Sequence, residues 1–190
     1  MRRKKNQILC VGVIIGIYLL SFPLNEWLSH TMPRHQLLQL LGMITLGILL
    51  GSVVKVKINA ANWNISILVV FMASMAFWML PRSIDLAVIH PWFNRLMHLN
   101  MVLIGFLLMN IYSKLVIELK ILFLGMMSAV FMASGVTLSA FRKLLCSSFN
   151  LEQQHETGKY MIILAASLIL FTLITFFRAP MHDAENRTFQ

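Results

Sequence analysis

A chain of 190 residues with 58% hydrophobic and 12% charged side chains, and a mean hydropathy of +0.77, is far too apolar for a soluble domain of this length. Its formal charge of +9 does not point to nucleic acid, because the basic residues sit in short gaps between apolar runs, where they orient a polytopic protein. The composition therefore predicts one integral membrane domain over 1–190, and the need to pair every backbone group inside hydrocarbon makes it an all-α polytopic helix bundle.

In chain order, "MRRKKNQ" leads into a first apolar run over 8–24. The following "SFPLNEW" has no small-x-small cleavage motif, so this run is expected to stay as an uncleaved anchor. A span needs about 20 largely apolar residues. Five more segments meet that requirement, at 35–54, 63–80, 96–112, 119–140 and 160–177, giving about six transmembrane helices.

Lys and Arg then set the orientation. With the N-terminus inside, ten basic residues (Arg2, Arg3, Lys4, Lys5, Lys55, Lys57, Lys114, Lys120, Arg178 and Arg187) fall on the inner side. Six (Arg34, Arg82, Arg95, Arg142, Lys143 and Lys159) fall outside, so both termini are expected in the cytoplasm. Trp27, Trp63, Trp78 and Trp92 fall near the predicted interfaces, as an aromatic belt requires. Cys10 and Cys146 lie on opposite sides, so no intrachain disulfide is expected.

The same topology gathers His30, His35, His90, His98 and His155 at the outer face and leaves His182 in the cytoplasmic tail. Met32, Met79 and Met101 fall at the same depth. Pro33 suits the first turn of a helix, where its missing N–H has no partner to lose. Met32 and His35, three apart, then share a face, and His30 approaches from the preceding loop. In "HPWFNRLMHLNM" a helix starting near Pro91 aligns Asn94, His98 and Met101.

Imidazole and thioether together suit copper, above all Cu(I), because thioether sulfur is soft; zinc more often recruits Cys or carboxylate. The candidate ligands are His35, His98, Met79, Met32 and His30, with Asp85 as an outer acceptor that fixes the His98 tautomer. Two other readings stand beside this one. The methionines are also ordinary filling for membrane helices, and two facing histidines also suit haem, although haem wants them deeper in the bundle.

"FWMLPRSIDLAVIHP", Phe77 to Pro91, resembles a pattern of the cytochrome c oxidase assembly factor family of the CtaG type: Trp, His, Leu-Pro, then Asp four residues after the Pro. Trp78, Leu80, Pro81 and Asp85 match, and Met79 stands where that family commonly has His. "HTMPRHQLLQLLGMITLGILLG" is similar to the family's Met-x-Gln-His helix start, through Met32 and His35, with Arg34 in place of Gln. "NRLMHLNMVLIGFLL" is similar to its His-x-x-x-His with a later Gly, through His98 and Gly105, with Asn94 in place of the first His. "EQQHETGKYM" resembles its Asp-Gln-x-x-Gly-Gly before Met, through Gln154, Gly158 and Met161, while Gln153 and Thr157 depart. The resemblance covers roughly 29–170.

It implies a non-enzymatic membrane protein of a bacterial or archaeal plasma membrane that delivers copper to a terminal oxidase. The alternative is an accessory subunit packed in a larger copper-containing membrane complex, its histidines incidental. A small transporter or enzyme has little support, since no deep charged relay or nucleophile with a base is visible.

Overall fold

The computed structural model describes residues 2–56, 61–141 and 143–187, and backbone alone at 2–3, 5, 61–62 and 178–187. Lys57 and Arg142, two of the cations counted for topology, lie outside these residues. The described chain is all helical: α1 (Arg2–Ser21), α2 (Asn25–Ser29), a π-helical segment (Arg34–Leu40) running into α3 (Leu41–Val53), α4 (Ala61–Trp78), α5 (Pro81–Ile89), α6 (Pro91–Tyr112), α7 (Ile117–Ala140) and α8 (Leu151–Arg187).

All six apolar segments read from the sequence are helical, but their lengths differ from expectation. Among the described residues four helices are long and apolar enough to cross a bilayer: Arg34–Val53, Pro91–Tyr112, Ile117–Ala140 and Leu151–Phe177. The pair Trp63–Trp78 and Pro81–Ile89 makes a fifth only if taken together, and it bends by 73°. The first segment is a shorter apolar helix over Asn6–Ser21.

Proline places the breaks. Pro81 and Pro91 open α5 and α6 at the first helical turn, where the missing N–H is harmless. The residues before them, Leu80 and His90, are extended, as the steric demand of the following ring requires.

Glycines set the packing. On α3, Gly47 and Gly51 lie against α6, and a Cβ on Gly51 would stand 2.7 Å from Phe106 O. Gly105 of α6 returns the contact, pressed on the Ile44 carbonyl. A second close pair joins α7 and α8, where a Cβ on Gly135 would stand 2.8 Å from Gly158 O. Helices approach this closely only where small residues remove the side-chain spacer.

Between the two pairs lies a core rich in methionine: Met43, Met75, Met97, Met101 and Met161 are almost wholly buried. Trp78 departs from the expected aromatic belt. It is 4% exposed, and its indole N–H donates to Asn100 Oδ1 at 3.0 Å, whereas Trp27, Trp63 and Trp92 are exposed. A buried indole needs such a partner.

Candidate metal centre

The π-helical segment Arg34–Leu40 carries His35, Gln36 and Gln39 into the interior, each at most 1% exposed. π turns hold one extra residue per turn and occur often where a side chain must be re-aimed. From the facing helix α6 come Asn94 (4% exposed) and His98 (3%), one helical turn apart. Asn25 Oδ1 ties the two elements together by accepting from Gln39 and from Asn94. Met97 and Met101 of α6 are buried, as is Met32 just ahead of the π-helical segment.

A chain of hydrogen bonds runs behind His35. Its Nδ1 is 2.7 Å from Gln39 Oε1. Gln39 Nε2 donates to Leu20 O at 3.1 Å and to Asn25 Oδ1 at 2.8 Å, and Asn94 Nδ2 donates to the same Asn25 oxygen at 2.6 Å. On the other side the polar capacity is unused. His35 Nε2, both nitrogens of His98, Asn94 Oδ1 and both amide ends of Gln36 are buried with no hydrogen-bond partner. Leaving such groups unpaired costs about 1–3 kcal/mol each, so several in one region suggest a site built for a guest.

Two of the expected ligands therefore come together, His35 and His98, and Met32 is buried just ahead of His35. The others sit elsewhere. His30 is exposed and lines an open rim cleft of about 450 Å³ with Pro23, Glu26, Trp27 and Arg34. The guanidinium of Arg34 stacks 4.3 Å over the Trp27 ring there. Met79 is buried, but its sulfur accepts from the Ser134 hydroxyl of α7 at 3.6 Å.

Asp85 corrects an expectation. It accepts the backbone N–H of Ser147 at 2.8 Å and of Ser148 at 2.9 Å, while neither nitrogen of His98 has a hydrogen-bond partner. The loop before α8 needed an anchor and took the carboxylate. Among the described residues no three His, Cys, Asp or Glu side chains form a metal-sized group, so neither His30 nor Asp85 completes a cluster with His35 and His98.

The carboxamides Asn25, Gln36, Gln39 and Gln154 escaped sequence reasoning as site residues. A signal for two of them existed: Gln36 and Gln39, three apart, are the only polar side chains between His35 and Thr45. Gln154, 1% exposed, uses its Oε1 to hold the N–H groups of Leu145 at 2.8 Å and Cys146 at 3.2 Å.

Chemically, the interior offers two imidazoles, thioethers and an amide oxygen, and among the described residues no Asp, Glu or Cys forms a three-membered metal-sized group with them. Soft ligands without a carboxylate beside them suit a monovalent soft cation such as Cu(I), because a divalent ion would lack compensating charge. No family model, curated protein or solved structure matches the chain.

Proposed function

We propose that this protein is a membrane copper-handling factor that serves the assembly of a copper-containing oxidase, as a divergent relative of the CtaG-type family. The observation that carries the proposal is the buried pair His35 and His98, three of whose four ring nitrogens have no partner. In this reading Cu(I) is cargo, held between the two imidazoles with Met32 as the adjoining thioether, and leaves by exchange onto ligands of an acceptor protein. The protein itself turns over no substrate. The reading places six spans in a bacterial or archaeal plasma membrane, both termini in the cytoplasm, and the histidine face outward.

The second reading is a non-catalytic subunit of a larger membrane complex, with which the exposed face of α8 is compatible. Only 11% of the apolar window of α8 is buried, leaving an apolar face that either lipid or a neighbouring subunit covers equally well.

Metal analysis of gently solubilised protein beside its His35→Ala/His98→Ala variant, with co-purifying chains identified in the same sample, separates the two. Copper near one per chain, lost in the variant, supports delivery. A metal-free protein held at fixed stoichiometry in a large complex supports the accessory role and ends the copper proposal.

A further inference from the structure

The hydrogen bonds behind His35 have a direction that one fixed point sets. The Leu20 carbonyl oxygen can only accept, so the end of the Gln39 amide that lies 3.1 Å from it is the NH2 end. The second proton of that group goes to Asn25 Oδ1 at 2.8 Å. Reversing the amide would set its oxygen against two other oxygens. Gln39 Oε1 therefore faces His35, and since an amide oxygen cannot donate, the 2.7 Å bond requires the proton on Nδ1. A neutral imidazole has one such proton. His35 Nε2 is then a bare lone pair, buried and unpartnered.

Asn25 extends the same logic to α6. Its Oδ1 accepts from Asn94 Nδ2 at 2.6 Å, which turns Asn94 Oδ1 the other way, where it too is buried without a partner. One carbonyl at the end of α1 thus orients groups on α2, the π-helical segment and α6.

We propose that Gln39 and Asn25, closed on the Leu20 carbonyl, are positioning residues that lock His35 in its Nδ1–H tautomer and turn two electron-pair donors, His35 Nε2 and Asn94 Oδ1, into the interior. Metal-binding histidines are commonly held this way, the nitrogen away from the metal being tied to an acceptor. Such a surface favours a cation or a hydrogen-bond donor over an anion. The inference rests on the copper reading for the identity of the guest; the tautomer does not depend on it.

The test is 15N NMR of histidine-labelled, metal-free protein in detergent micelles, with the His35 signals identified by their loss in His35→Leu. The wild type is expected in the Nδ1–H form. Gln39→Met, close in volume but without the acceptor, is expected to release the lock and give an Nε2–H population. Asn25→Leu leaves Gln39 closed on the Leu20 carbonyl and is expected to keep the Nδ1–H form while freeing Asn94; Gln39→Leu, which also lacks the acceptor, decides the matter if Gln39→Met does not fold.

An Nε2–H wild type, or an Nδ1–H form that survives loss of the acceptor in Gln39→Met or Gln39→Leu, overturns the proposal. Titration of the same samples with Cu(I) is expected to show roughly 10–100-fold weaker binding in Gln39→Met. A wild type that is Nδ1–H yet takes no Cu(I) leaves the relay standing and removes the copper reading alone.

Discussion

Asp85 holds Ser147 across 62 residues of sequence, through the backbone N–H at 2.8 Å and the hydroxyl at 3.0 Å, and takes the Ser148 N–H with its other oxygen at 2.9 Å. The carboxylate thereby fastens the loop before α8 onto α5. Hydrogen bonds to a charged acceptor contribute about 1.5–3 kcal/mol when shielded and less at a partly exposed site. Asp85→Ala is expected to lower stability by roughly 1–2 kcal/mol, read as a fall in the thermal midpoint, and to open 143–150 to protease. An unchanged cleavage pattern would show that other contacts hold the loop.

Cys146, within that loop, is wholly buried, with its thiol 3.8 Å from Pro81 O. Burial, helped by the nearby Asp85 charge, pushes its thiol from an ordinary 9.0 up to about 12. Since the folded value is the higher one, the folded state keeps the proton. This contribution to stability is complete below about pH 9 and is lost as pH rises toward 12. In a Cys10→Ser background, maleimide at neutral pH is expected to leave Cys146 unmodified and to label it once Asp85→Ala loosens the loop. Rapid labelling of the folded Cys10→Ser protein would mean that the thiol is accessible.

The glycines differ sharply in what they tolerate. A Cβ on Gly105 would press on the Ile44 carbonyl of α3, with Ile48 N at 3.2 Å, whereas one on Gly125 of α7 meets nothing within 4 Å. Gly105→Ala is expected to cost on the order of 1–3 kcal/mol by forcing α3 and α6 apart. Gly125→Ala is expected to be neutral or to stabilise by about 0.5–1 kcal/mol, since it removes backbone freedom from a helix interior. Thermal unfolding of the two variants in one detergent checks the contrast; equal losses would refute the close packing of α3 on α6.

What the sequence made legible follows from what is local. Apolar runs mark the helices and Pro91 the start of one, and both survive in the structure, whereas α5, opened by Pro81, was not read as a helix. The alignment of Asn94, His98 and Met101 was visible too, because one helix fixes it. The widened turn at Arg34–Leu40 and the 73° bend after Trp78 were not, since neither changes hydropathy. Nor was the partner of Asp85, 62 residues away. Periodicity, which separates core from surface in a soluble helix, fades when lipid and core are both apolar; hence Trp78 read as an interface residue although it is buried.

His98 allows the sharpest separation of structural from functional burial. Both of its nitrogens are buried without a partner, so in the metal-free protein the imidazole is a cost. His98→Leu replaces it with an apolar group and is expected to leave the metal-free protein as stable as wild type, or to stabilise it by about 1–2 kcal/mol. His35 behaves differently. Its Nδ1 occupies Gln39 Oε1, and His35→Leu strands that oxygen at a cost of about 1–3 kcal/mol. Cu(I) reverses the order for His98: at 100 times the dissociation constant it adds about 2.7 kcal/mol to the wild type and is expected to add little to either variant. Thermal unfolding of the three proteins with and without Cu(I) reads all of this. A His98→Leu variant that loses stability without metal would mean that His98 is part of the packing, and the case for a guest between the two rings would then rest on His35 alone.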